Sequence, residues 1–150
     1  MSKIKLLLLV VLSVLANGGC ISADTRSTLH APVSIEDLLV KAVLSAAEQQ
    51  HRVSTILIGP EVSEGIAREA ARLRPTRRVR SSEIEGLLKG QLLLQGESTG
   101  PNLASLSGRL GPVPRPQPGV MLLSCGTGLT VVFERVGTEW QQRELQTLDC

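Results

Sequence analysis

Aromatic side chains are almost missing from this 150-residue chain, which has one Phe, one Trp and no Tyr. The core must therefore be aliphatic, and the stacked aromatic faces that hold single-stranded nucleic acid are excluded. Histidine is scarce as well: His30 and His51 are the only two, which excludes a His-rich metal site. The three cysteines, Cys20, Cys125 and Cys150, form no Cys-x-x-Cys redox motif. A Gly-rich phosphate loop with its Lys is also missing. No cofactor and no metal is called for.

An excess of one charge is lacking too. Sixteen Lys and Arg face fourteen Asp and Glu, a formal charge of +2. Lys3 and Lys5 fall in what reads as a removable export signal; without them fourteen basic residues face fourteen acidic ones. A nucleic-acid binder keeps its basic excess, so no nucleic-acid partner is expected. What the chain does have is apolar content, 42% of its residues, enough for one core and one domain.

The N-terminus carries an address. Lys3 and Lys5 precede an apolar run, Leu6 to Ala16, broken only by Ser13, and Asn17-Gly18-Gly19-Cys20 ends it. The run is shorter than the ~20 apolar residues of a membrane-spanning helix. Gly18-Gly19-Cys20 resembles the end of a bacterial lipobox, although Asn17 stands where that family has Leu or another apolar residue. The resemblance implies that Cys20 is lipid-modified on its sulfur and becomes the mature N-terminus. The rival reading is cleavage after Ala23, with Ile21 and Ala23 as a small-x-small site, giving a soluble periplasmic or secreted protein. The expected organisation is a signal peptide at 1–19, a tether at 20–33 that includes His30, and a single domain at 34–150.

Within the domain, Ile35, Leu38, Leu39, Ala42, Val43, Ala46 and Ala47 have helical spacing, with Ser34 and Asp37 placed as a capping box. Val53 to Ile58 reads as a strand closed by Gly59-Pro60, and His51 falls at the preceding helix end. Pro60 suits the first turn of a second helix, with Val62, Ile66, Ala70 and Leu73 inward and Pro75 as its stop. Ser82 and Glu85 have capping spacing, and Ile84, Leu87, Leu88 and Leu92 have helical spacing. Gly86 and Gly90 weaken that helix and leave Gln91 to Gln95 open to an extended form. Gly96 to Gly119 is rich in Gly and Pro; its Pro112–Pro118 run is read as a stiff connecting loop, the rival being a proline-rich ligand for a partner. Leu103 to Leu110 holds a short strand. Val120–Cys125, Leu129–Val136 and Glu139–Leu148 read as a meander with turns at Gly126-Thr127-Gly128 and Gly137-Thr138.

The fold class is therefore α+β: helices packed on one face of an antiparallel sheet that ends in a C-terminal β-meander. Cys125-Gly126, Leu129 to Phe133, Gly137 and Trp140 together are similar to the end of small exported bacterial proteins of unknown function. In these a Gly-x-x-Trp hairpin closes the sheet. The resemblance implies a fold and no catalytic residue.

Three constellations bear on chemistry. Gly96-Glu97-Ser98-Thr99-Gly100 matches the nucleophile elbow of α/β-hydrolases, but no His follows it, and it reads as a turn. Arg74, Arg77, Arg78 and Arg80 form the densest basic cluster, without an acidic neighbour in sequence, and suit an anionic envelope surface or an acidic protein partner. Arg68 and Arg72 are instead expected to pair with Glu64 and Glu69 along a helix. The expected function is a non-enzymatic interaction or binding module, a cell-envelope lipoprotein held to the membrane through Cys20 and facing the periplasm. The alternative is a small exported hydrolase using Ser98 or Cys125, with His30 or His51 as base.

Cys125 and Cys150 remain after either cleavage, and in an oxidising compartment they are expected to form a disulfide. In a flat meander the first and third strands lie about twice 4.8 Å apart, so the residues after Leu148 must bend across the Gly126–Gly128 turn. The closed loop of about 25 residues would stabilise the domain by about 3 kcal/mol. Thiol titration of unreduced, denatured mature protein should therefore find no free thiol, and two free thiols would defeat the assignment.

Overall fold

The computed structural model describes residues 33–149, apart from 82–83, 85, 116–117 and 120–125. The expected signal peptide, the tether up to residue 32 and the expected strand Val120–Cys125 lie outside the described residues.

Two helices and six strands follow one another as α1 (Ile35–Gln50), β1 (Thr55–Ile58), α2 (Glu64–Leu73), β2 (Thr76–Arg78), β3 (Gln91–Thr99), β4 (Leu103–Leu110), β5 (Thr127–Val136) and β6 (Glu139–Leu148). The strands form one sheet in the order β2-β1-β3-β4-β5-β6. It is mixed, which corrects the antiparallel sheet read from the sequence. β1 runs parallel to both β2 and β3, and only β3 to β6 alternate in direction. The α+β class stands. The β1–β2 parallel pair arises because α2 carries the chain from β1 back to the start of β2, as a crossover does.

α1 begins at Ser34, whose hydroxyl accepts from the Asp37 N–H at 3.2 Å. The Asp37 carboxylate turns outward to Lys41, 2.9 Å away. Its inner stripe is wider than the spacing suggested: Leu39, Val40, Val43, Leu44, Ala46 and Ala47 are buried, and Ile35, Leu38 and Ala42 are partly covered. α2 starts at Glu64 rather than Pro60, because Ser63 takes the cap and accepts from the Ile66 N–H at 3.3 Å. Ile66 and Ala70 face inward, as spaced.

Helical spacing misleads after residue 81. Residues 86–90 are not helical; Leu87 pairs with Val113 in an isolated antiparallel bridge, and the chain then enters β3. Ser82 and Glu85, the expected cap, lie outside the described residues. Gly96 to Thr99 belong to β3, so the expected turn there is strand. Gly126-Thr127-Gly128 is not a turn either: β5 begins at Thr127, and Gly128 pairs with Arg109 and Leu148. A β-carbon on Gly126 would collide with the Leu110 carbonyl oxygen and with Val113 Cγ2, so the residue marks a close approach. Gly137, at φ 65°, and Thr138 form the expected two-residue hairpin turn.

Burial divides into two clusters. Both helices share the larger one with Ile56, Ile58, Leu92, Leu94, Ala104, Leu106, Leu110, Leu129, Val131 and Phe133. The smaller one, on the opposite side of β1 and β3, holds Leu57 and Leu93 beneath Val79, Leu87, Val113 and Ile84. β6 has no buried residue. Truncating Leu94, fully buried at the centre of the sheet, to Ala should cost about 3 kcal/mol. Leu145→Ala, at a β6 position that is 41% exposed, should stay within about 0.5 kcal/mol. Urea unfolding midpoints of the two variants measure the contrast.

Candidate functional site

A strand sends neighbouring side chains to opposite faces, so a run of arginines on β2 cannot form one patch. Arg78 lies on the α2 side of the sheet. Its guanidinium donates to Glu64 at 2.8 Å and to the Val62 carbonyl at 3.2 Å. Arg74 is the C-cap of α2, and it donates to the Val53 carbonyl at 3.2 Å, to its neighbour's carbonyl at Leu73 at 2.8 Å and to Glu48 of α1. The acidic neighbours missing from the local sequence are thus supplied by other elements. Arg77 is paired in register with Leu57 and lies on the opposite face, and Arg80 follows Val79 beside Pro60 and Ser81. Arg78 and Arg80 border one hollow, but Arg74 and Arg77 are not among its lining, so the four arginines do not form a single patch. Of the expected helix pairs, Glu69 and Arg72 meet at 3.0 Å, whereas Glu64 is used by Arg78 instead of Arg68.

The Gly96–Gly100 segment has no elbow geometry. Ser98 is exposed within β3 and faces Ser105 across the ladder, and the next element is a strand, β4, where an elbow has a helix. His51 caps the end of α1, its N–H donating to the Ala47 carbonyl. It precedes β1, whose first residue pairs with Gln91, whereas Ser98 lies roughly 20 Å further along β3 at strand rise. The working residue of the segment is Glu97. Its carboxylate accepts from the Ser63 N–H at 2.8 Å and the Ser63 hydroxyl at 3.0 Å, placing negative charge at the N-terminus of α2. Sequence reading missed it, and the Ser-Glu spacing across 34 residues offers no local signal.

Shallower hollows lie beside Arg78 and Arg80 and beside Arg68 and Arg78; a concavity with a buried apolar wall lies on the face away from the helices. There Leu87, before β3, and Val113, after β4, pack over Leu57 and Leu93 and are tied by reciprocal bonds of 2.9 and 2.8 Å. Beside them opens a cavity of about 500 Å3. Leu57, Leu87 and Val113 supply buried apolar wall, and Leu88 stands at it 70% exposed. Arg77, Lys89 and Arg115 also line it, and no carboxylate does so among the described residues. Gly86 has a reason in this arrangement: a β-carbon there would sit 2.5 Å from Arg115 Cγ, so the bare glycine lets the Arg115 stem lie flat. Pro112 and Pro114 stiffen the rim. Gln91 holds the floor loop by accepting from the Leu88 N–H at 3.0 Å.

Arg77 is the one member of the sequence cluster in this cavity; Lys89 and Arg115 were not singled out by the sequence reading, because each is an isolated basic residue there. Cys20, His30, Cys125 and Cys150 lie outside the described residues. Among the described residues no group of three or more His, Cys, Asp or Glu side chains is placed to hold a metal ion. No helix among them is long and apolar enough to cross a membrane. Comparison with protein families, with curated proteins and with solved structures finds no match.

If Arg74 serves the fold, Arg74→Gln should lower stability by about 1 kcal/mol, since three donated bonds are lost at a partly exposed site. Binding of sulfate or phosphate to the protein should be unchanged. A variant as stable as the parent but weaker in anion binding would reverse this assignment.

Proposed function

We propose that the chain is an exported cell-envelope lipoprotein, anchored through Cys20 and facing the periplasm, whose domain acts as a non-enzymatic binding module. The domain is read as an α+β unit, its helices on one face of the sheet and a β-meander at its C-terminal end. One observation carries the binding half of this reading: the cavity of about 500 Å3 with an apolar wall and three cationic side chains. Its size falls in the range of small-molecule sites. The cations there form a wall, and among the described residues neither a hydroxyl, a thiol nor a histidine side chain lines it. An anionic partner suits that lining better than a hydrolytic substrate does.

The anchor half rests on the Lys3–Cys20 pattern. The Cys125–Cys150 bridge belongs to the same proposal. It is supported by the Gly128–Leu148 pair, which brings the chain to one end of the sheet three residues after Cys125 and two before Cys150. Such a bridge would hold β6, an edge strand without buried side chains, against fraying.

The anchor is tested by labelling cells with a radioactive fatty acid. Wild-type protein should incorporate label and sediment with membranes. Cys20→Ser should incorporate none and either remain as precursor or leave the membrane fraction. Wild-type protein without label would overturn the anchor and favour cleavage after Ala23.

A further inference from the structure

We propose that the cavity beside the tied Leu87 and Val113 segments binds an anionic amphiphile, an anionic headgroup carried on an aliphatic chain. The inference rests on the binding-module reading above and narrows it to a ligand class. Two features of the lining set the chemistry. Lys89 and Arg115 approach from separate stretches, one before β3 and one after β4, and Arg77 rises from β2 beneath them. Lys89 and Arg115, converging on one concavity from separate segments, favour a negative charge there, and the low-dielectric wall of Leu57, Leu87 and Val113 strengthens the attraction.

The second feature is apolar. Leu88 is 70% exposed, although its neighbour Leu87 is buried to 3%. A large exposed aliphatic beside a cationic cavity would gain by being covered, and an aliphatic chain leaving the headgroup would cover it. A bare inorganic anion would leave Leu88 and the wall wet. A neutral chain would leave Lys89 and Arg115 unused. A nucleotide or aromatic ligand is disfavoured because the lining offers no aromatic face for stacking. The volume, about 500 Å3, accommodates a headgroup with the first part of a chain, so a longer chain must leave over Leu88.

Two sources can present this chemistry: a free monomeric amphiphile, or an acidic phospholipid of the membrane to which the chain is anchored. The test uses the exported chain, residues 20–150, carrying Cys20→Ser so that no acyl group of its own competes. This also keeps the result independent of the anchor proposal. Titration calorimetry with decyl phosphate should give saturable one-site binding. Inorganic phosphate and decanol should each bind at least about tenfold more weakly, a difference of about 1.4 kcal/mol. Lys89→Gln with Arg115→Gln should weaken decyl phosphate about tenfold and flatten its salt dependence. Leu88→Ser should weaken decyl phosphate while leaving the weak binding of inorganic phosphate unchanged. All three side chains are exposed, so the fold is not at stake. Arg143→Gln, a cation paired with Glu134 on β6, should change nothing.

A parallel arm measures sedimentation with phosphatidylcholine vesicles with and without phosphatidylglycerol. Binding to decyl phosphate alone assigns the site to a soluble amphiphile. Binding to phosphatidylglycerol vesicles as well, lost in the Lys89→Gln/Arg115→Gln variant, assigns it to the membrane lipid. The proposal is overturned if neither probe binds, if inorganic phosphate binds as tightly as decyl phosphate, or if the double variant binds like the parent.

Discussion

Burial of β1 and β3 on both faces is the constraint from which the rest of the domain follows. Ile56, Ile58, Leu92 and Leu94 point toward the helices, while Leu57 and Leu93 point the other way and are equally covered. Parallel strands need a cover on each side. The described chain has two helices, and both join the first cluster. The second cover is therefore made from non-helical chain, and such chain brings backbone polar groups that must be satisfied as they are buried. The reciprocal Leu87–Val113 bonds, and the Gly111 N–H donated to the Gln91 carbonyl at 2.9 Å, meet that demand. The cavity opens beside these tied segments. Their solvent-facing positions carry Lys89 and Arg115. The candidate site is thus a consequence of covering a two-sided strand pair with loops.

Cover declines steadily toward the other edge of the sheet. α1 shields β4 and β5 through Ala104, Leu106, Leu110, Leu129, Val131 and Phe133. The reverse face of these strands is polar and half-exposed, with the Ser107 and Thr130 hydroxyls 3.0 Å apart across the ladder. β6 lies beyond the reach of α1 and presents only Trp140 as a partly buried residue. Its edge is a free ladder that a second chain could extend, and it carries the devices that discourage this. Charged residues flank it, Arg143 meets Glu134 at 2.7 Å, and a bulge breaks its register between Val132 and Phe133.

The elements legible from sequence are those decided locally. Ser34 and the spacing from Ile35 onward define α1, and the β-branched residues before Gly59-Pro60 define β1, because cap and periodicity act within one or two turns. The stretch from Ile84 to Gln95 was not legible. An apolar run of that length fits helix or strand equally, and here the choice is made by Val113, which hydrogen-bonds Leu87 from beyond β4. The arginines fail to be legible for a different reason. Near one another in sequence, Arg77 and Arg78 are parted by the period of two along β2, and the partners of Arg74 and Arg78 come from α1 and the start of α2. The cavity was invisible because Lys89 and Arg115 meet only after two distant stretches are tied.

Gly96 shows how a single residue can decide which face a functional carboxylate serves. Along β3, Leu92 and Leu94 face the helices and Leu93 and Gln95 face away. Simple alternation would send Glu97 away too, beside the open polar face of β4. The register shifts between Gln95 and Glu97, so Glu97 stands opposite Leu106, a residue of the helix-facing cluster. Gly96, at φ 67°, is the extra residue, in a conformation that suits glycine. The bulge thereby carries the Glu97 carboxylate to Ser63, where it accepts two hydrogen bonds at the start of α2. That contact fixes the helix entry, and α2 in turn sets the parallel course of β2 and the placement of Arg77 beneath the cavity. A Gly-Glu-Ser-Thr-Gly string that matches a catalytic elbow in letters is, in this fold, the hinge on which the first βαβ unit is hung.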